Sequence, residues 1–333
     1  LQAWLEGRRN SDSSSADVAA SATPAFRGNA QRNASFSPAV AVGAPVWECP
    51  TVDEHDFFLD EELVAELQAS ISQRMSATRQ RYETSTSDQV LVPAGIPVAA
   101  AGLAVFRGPG TIKAVSLATG ELVWPSVTID ETFQHLTNEE WVRRDEDWHS
   151  VNLDLMLTQR MYRDVTFSSL STDGRHVYAL ADGGMMSSVS HAATALPALI
   201  DHQLAPHAYN RLLAFELATG RLVREFGGPP TGDPLSGAYF LSAPLPLDGD
   251  LYCLVESQGQ VQLVVLDQQS LDVEWTQALY NPVTNFSDPL GGMARRLGGV
   301  ALAAAGDIVV CPSGETIVAA VDRRRRTILW TYE

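Results

Sequence analysis

Four stretches of the chain share one spaced pattern. The first two run Ala114-Val-Ser-Leu-Ala-Thr119-Gly120-Glu-Leu-Val-Trp124 and Ala214-Phe-Glu-Leu-Ala-Thr219-Gly220-Arg-Leu-Val-Arg224. The next two run Val265-Leu-Asp267-Gln-Gln-Ser270-Leu271-Asp-Val-Glu-Trp275 and Ala320-Val-Asp322-Arg-Arg-Arg325-Arg326-Thr-Ile-Leu-Trp330. In each copy ten positions separate a small apolar residue from a closing Trp, which Arg224 replaces in the second. Self-similarity at a fixed spacing marks a repeat architecture, in which each unit buries its apolar surface against its neighbours.

Each copy alternates apolar and polar positions on either side of a tight turn, the pattern of a β-hairpin. Upstream of each copy a Gly turn (Gly102, Gly174, Gly249, Gly306) leads into an apolar run, and another extended run precedes that glycine, at 96–100, 165–169, 239–243 and 299–303. From glycine to closing residue the distances are 22, 50, 26 and 24. A loop insertion at 185–209 accounts for the long second unit. Four short strands per unit are the content of one β-propeller blade, so the repeat predicts an all-β propeller with about four blades. The closing Trp then packs on the next blade. Burying ~150–250 Å² of aromatic surface at about 25 cal/mol/Å² sets an upper bound of roughly 4–6 kcal/mol per contact. Thr-Gly lets the chain reverse without a Cβ clash. The third and fourth copies carry Ser270-Leu271 and Arg325-Arg326 instead, which predicts turns of a different build.

The spacing Ala-x-Asp-x-x-Thr-Gly-x-x-x-Trp resembles the tryptophan-docking motif of quinoprotein-type propellers, named for pyrroloquinoline quinone (PQQ) although many members bind none. The blade-docking positions are Ala114, Gly120, Trp124, Ala214, Gly220, Asp267, Trp275, Ala320, Asp322 and Trp330. The Asp of the motif is present only as Asp267 and Asp322; Ser116 and Glu216 take its place elsewhere. Phe26-Arg-Gly-Asn29-Ala-Gln-Arg-Asn33 and Pro45-Val-Trp47 are similar to the segment that opens bacterial PQQ-like propellers. The resemblance spans about residues 25–333 and implies a ring of seven or eight blades, of which four are visible here.

At 333 residues, 45% of them hydrophobic, the chain holds enough apolar surface for a sizeable core. A formal charge of −17 argues against nucleic-acid binding, which needs clustered Lys and Arg. Of 23 basic residues only Lys113 is a lysine, and the single arginine cluster, Arg323–Arg326, falls on a hairpin tip. Cys49, Cys253 and Cys311 are widely spaced, with no C-x-x-C and no vicinal pair, so neither zinc nor a disulfide framework is indicated. No apolar run of ~18 residues spans a membrane.

Residues 1–24, rich in Ser and Ala, read as a disordered linker ahead of the propeller at 25–333. Insertions fall at about 52–87, 126–162 and 185–209. The first contains a helical pattern over 60–82, with Leu63, Leu67, Ile71 and Met75 on one stripe. The second contains one over 137–162, where Trp141, Trp148 and Leu155 recur at seven-residue intervals. Trp141 and Trp148 are a possible partner surface, or else anchor the insertion to the blades. The third holds His191, His202 and His207, whose spacing fits no strong metal motif.

The catalytic expectations are mostly negative. No G-x-S-x-G, H-E-x-x-H, Walker or G-x-G-x-x-G motif is present. PQQ-dependent dehydrogenases hold the quinone on the axis beside Ca²⁺ ligated by Glu, Asn and Asp oxygens, with an Asp as base, and many place a vicinal disulfide over it. None of these positions can be assigned here. The resemblance therefore implies a non-catalytic, extracytoplasmic scaffold or protein-binding module with no cofactor, similar at the level of its repeats to the propeller lipoproteins of outer-membrane protein assembly. The alternative is a PQQ-dependent oxidoreductase of alcohols or sugars, and a sensor domain is a third possibility.

Overall fold

In a computed structural model the described residues are 25, 29–32, 46–51, 95–130, 133, 160–162, 164–182, 209–232, 234–282, 295–313 and 317–333, with six positions between 65 and 80. They form four separate antiparallel sheets, each a meander in chain order. The first blade is β1 (Val98–Ala100), β2 (Leu103–Arg107), β3 (Thr111–Ser116) and β4 (Leu122–Thr128). The second is β5 (Leu170–Thr172), β6 (His176–Asp182), β7 (Asn210–Glu216) and β8 (Leu222–Gly227). The third is β9 (Tyr239–Phe240), β10 (Leu245–Leu247), β11 (Asp250–Ser257), β12 (Gln260–Asp267) and β13 (Val273–Tyr280), with β9 paired to β11 beyond the end of β10. The fourth is β14 (Ala303–Ala305), β15 (Ile308–Pro312), β16 (Val318–Asp322) and β17 (Thr327–Tyr332).

Why these sheets stack is legible in the middle strands. Successive side chains of a strand point to opposite faces, and here both faces are covered. Val177 and Ala179 of β6 face the first blade, in a cluster with Val105, Ile112 and Ala114. Tyr178 and Leu180 of the same strand face the third, with Leu251, Cys253 and Val264. Tyr252, Leu254 and Val265 then meet Val309, Cys311 and Val321 of the fourth. Three apolar seams thus hold four blades in succession, a β-propeller architecture.

The ten-residue spacing has a structural origin. The small residue of each copy lies directly across from the closing one: Ala114 pairs with Trp124, Ala214 with Arg224, Val265 with Trp275 and Ala320 with Trp330. Just after each pair the register slips by one, so Val123, Val223, Glu274 and Leu329 stand as the extra residue of a β-bulge.

Two expectations need correction. The third and fourth turns are built like the first two. Leu271 and Arg326 adopt φ of 59° and 56°, beside 74° and 70° at Gly120 and Gly220. The amide of Leu271 donates to Asp267 O at 2.8 Å, as Gly120 does to Ser116 O and Gly220 to Glu216 O. A left-handed residue with a Cβ costs ~1–2 kcal/mol. Asp267 offsets this by accepting from the amides of Gln269 and Ser270 at 2.9 and 2.6 Å, and Asp322 does the same for Arg324 and Arg325. Where the Asp is missing the turn residue is Gly, and little compensation is needed. Ser116 Oγ still accepts from the Thr119 amide at 3.3 Å, and Glu216 takes the Thr219 hydroxyl at 2.6 Å.

The second correction concerns residues 165–169. They are not the innermost strand of the second blade but a single helical turn, Val165–Ser168, with β5 beginning at Leu170. Asp164 caps it, its carboxylate accepting from the Phe167 amide at 2.8 Å. In the first blade β1 fills the end of the run read as extended; in the third that run opens with the short strand β9 and β10 follows at Leu245; in the fourth β14 begins at Ala303, where the run ends.

The N-terminal segment crosses to the far blade. Ala30 O accepts from the amide of Ala304 in β14 at 2.8 Å, and Arg32 Nε donates to Leu302 O at 2.8 Å. Trp47, by contrast, docks on the first blade. The described positions between 65 and 80 are helical and exposed; the stripe Leu63, Leu67, Ile71 and Met75 lies outside the described residues.

Candidate functional site

The seams define what each docking residue does. Trp124 is 3% exposed, and its Nε1–H donates to Leu217 O at 2.9 Å. Its ring lies against Gly220, where an added Cβ would come within 2.6 Å of it. Trp47 repeats the arrangement one blade earlier, donating to Leu117 O at 2.9 Å, with its ring 2.6 Å from a notional Cβ on Gly120. At the second seam Arg224 takes the place of the indole and pairs with Asp272 at 3.3 Å. At the third, Trp275 meets the guanidinium of Arg326, 5.7 Å above its ring. Trp330, on the outermost strand of the fourth blade, is 47% exposed. Trp141, Trp148 and the histidines His191, His202 and His207 lie outside the described residues.

The inner surface holds the more elaborate chemistry. Where the segments leading into the innermost strands converge, Ile96, Val165, Ser168, Ser169, Leu170, Ser242 and residues 298–301 line a pocket of about 290 Å³. The helical turn Val165–Ser168 is its central wall. Thr166 ties that turn to two other blades: its hydroxyl donates to Leu241 O at 3.3 Å and accepts from the Gly299 amide at 3.0 Å. Ser169 Oγ donates to Thr166 O and accepts from the Ala243 amide at 2.8 Å. Gly299 sits at φ +62°, and a Cβ there would come within 2.7 Å of Val165.

Two buried ionic clusters brace the walls. On one side Arg160 binds Asp130 at 2.8 Å and Asp164 at 2.6 Å. Arg107 donates to the carbonyls of Phe167 and Leu180. Both guanidiniums lie over the Phe167 ring, 3.7 and 4.0 Å from its centroid. Burial, helped by the neighbouring charge of Arg160, lowers the Arg107 pKa to about 9 against the pull of Asp130 and Asp164. On the other side Glu256 receives Arg295 at 3.0 Å and Arg296 at 2.8 Å, which fixes the chain just ahead of Gly299. Burial raises the Glu256 pKa, but hydrogen bonds from Arg296 and Arg295 outweigh it and hold the carboxyl below its ordinary value.

Little of this inner site follows from the repeat. Asp164, three residues before Phe167, carries a helix-cap signal, and Arg295-Arg296 is a visible pair; neither spacing says that its partners are Asp130 or Glu256. The arginine run 323–326 forms the hairpin tip between β16 and β17, as read, and its side chains are also paired there: Arg324 with Asp307 at 2.8 Å, Arg325 with Asp322 at 3.7 Å and Arg326 with Glu274 at 3.9 Å. Cys253 and Cys311 are buried thiols whose pKa is pushed up to about 12 by burial.

A PQQ–Ca²⁺ centre needs converging carboxylate and amide oxygens. The inner pocket offers serine hydroxyls and aliphatic side chains, and among the described residues no group of three His, Cys, Asp or Glu could hold a cation. The described lining does not fit that group.

Comparison with solved structures finds BamB from Moraxella catarrhalis at 16% identity and a TM-score of 0.36, covering 71% of this chain and 50% of that one. A europium-containing methanol dehydrogenase matches at 11% identity and 0.39, covering 71% and 41%. A quinohemoprotein alcohol dehydrogenase from Comamonas testosteroni matches at 14% and 0.39, covering 72% and 34%. The chain thus spans half or less of the length of these proteins. No curated protein matches it. The profile of one family, described as outer membrane protein assembly factor BamB, matches residues 41–332. With its four stacked blades and repeated docking turns, the chain belongs to that family.

Proposed function

We propose that the chain is part of a non-catalytic, extracytoplasmic propeller that binds other proteins, with the inner pocket and its rim as a contact surface. One observation carries this reading. Ile96 and Val165 stand 44% and 41% exposed at the pocket, on walls held by hydrogen bonds and buried ion pairs. A rigid, apolar, uncharged concavity suits a partner's apolar side chains better than a charged cofactor. The family's description as an assembly factor supports the same reading.

The test is to place a photo-crosslinking amino acid at Ile96 or Val165 in the protein expressed in its own host, with exposed Thr276 on the outer strand β13 as control. Adducts with envelope proteins at both inner positions, and none at the control, are the expected result. Stoichiometric uptake of PQQ with Ca²⁺, seen by native mass spectrometry and accompanied by dye-linked alcohol oxidation, would overturn it.

A further inference from the structure

The second seam departs from the pattern of its neighbours in a way that leaves a groove. Arg224 to Gly227 of β8, Pro234, Leu235 and Leu271 to Val273 enclose about 440 Å³ between the second and third blades. Its floor is apolar: Leu235 and Leu271 are buried and belong to the seam's core, with Phe226 packed against them. Its rim carries Arg224, whose guanidinium lies 5.5 Å over the Phe226 ring.

What such a place holds is shown elsewhere in the same molecule. At the seams before and after, the residue equivalent to Arg224 is an indole, Trp124 or Trp275, resting on the next blade's turn. Where that turn has Gly, the indole N–H is bonded to the carbonyl three residues earlier, Leu117 O for Trp47 and Leu217 O for Trp124. At the second seam the corresponding carbonyl belongs to Gln268, and no donor among the described residues is bonded to it. A side chain at the left-handed position does not bar an aromatic, since Arg326 and Trp275 coexist at the third seam. Arg224 is weakly held: it pairs at 3.3 Å with Asp272, and the two side chains are 47% and 70% exposed. An ion pair that open to water contributes little and is readily exchanged.

We infer that this groove is a docking site for an extended segment of a partner protein that presents an aromatic side chain next to a carboxylate. The aromatic ring takes the place of the missing indole over Phe226, Leu235 and Leu271, and the carboxylate draws Arg224 away from Asp272. This rests on the protein-binding reading above and gives it a second surface, on the outer rim.

The experiment is methyl NMR on the full chain, titrated with the blocked hexapeptide TVWEVT and with TVAEVT. The expected result is saturable shifts of the Leu235, Leu271 and Val273 methyls with the first peptide, and binding at least tenfold weaker with the second. Arg224→Trp should fill the groove from within and abolish the shifts while leaving the Val105 and Leu254 methyls in place. If that variant does not fold, Val273→Glu, at a partly exposed position, serves instead. No saturable shift at millimolar peptide, equal affinity for both peptides, or shifts that survive the groove variant would each overturn the inference. Crosslinking at Ile96 and Val165 does not involve this groove, so a silent groove with intact adducts there removes this inference alone.

Discussion

At the scale of single residues, two glycines with similar backbone angles do different jobs. Gly220 and Gly249 both have positive φ, 70° and 93°, but a Cβ on Gly220 meets the Trp124 ring at 2.6 Å while one on Gly249 meets nothing within 4 Å. Gly249→Ala should therefore cost only backbone strain, about 1–2 kcal/mol. Gly220→Ala adds displacement of a buried indole, for a loss of about 2–4 kcal/mol. Urea unfolding of the two variants measures the difference, and equal losses would mean that the indole yields without penalty. Leu271→Gly runs the other way: strain relief of ~1–2 kcal/mol is set against truncation of a buried leucine at ~2–5 kcal/mol, so a net loss is expected. The spacing of the repeat made the four cross-strand pairs legible, because a cross-strand pair with a bulge has one fixed separation. It could not show that Leu271 and Arg326 keep the glycine conformation, since nothing in a side chain's identity announces a strained φ.

Elements are where the reading from sequence fell short. Val165-Thr-Phe-Ser-Ser has the composition of a strand, with a β-branched pair and an aromatic. Tertiary partners override that preference: the Asp164 cap, the two arginines over Phe167 and the doubly bonded Thr166 hydroxyl all favour a helical turn. Thr166→Val keeps the shape but leaves Leu241 O and the Gly299 amide without this partner. A loss of about 1–3 kcal/mol is expected, with the largest drop in amide protection around Gly299. The Glu256 cluster gives a pH dependence whose sign can be worked out. Its carboxyl is held below the ordinary 4.5 in the folded protein, so the stabilisation is full above that value and is lost as pH falls through the lower folded value. Urea stability measured from pH 6 to pH 3 should fall more steeply for the native protein than for Glu256→Gln, which has no proton to gain. Parallel curves would show that Arg295 and Arg296 do not depress this group.

For the whole molecule, the N-terminal segment matters more than its place in the chain suggests. Through Ala30 and Arg32 it adds to the inner edge of the fourth blade, while Trp47, less than twenty residues on, locks to the first. Deleting residues 1–33 should leave hydrogen-exchange protection in β3 unchanged and lower it in β14 and β15, because each blade depends mainly on its direct neighbours. Uniform loss of protection would mean a single cooperative unit instead. A repeat reading places this segment before the first unit and has no means of seeing that it reaches the last. The seams carry a further consequence, for how such a protein can change over evolution. Each joint is built from two half-locks on different units: the closing residue of one and the turn of the next. Duplicating a unit copies both halves, but in the arrangement Trp–Gly, Arg–Leu or Trp–Arg that its neighbours happened to match. A unit ending in Arg224 followed by one that turns on Gly would leave an unfilled hollow where Trp124 now rests on Gly220. Units of this propeller should therefore be inherited in adjacent pairs rather than shuffled singly, with the two halves of each joint changing together.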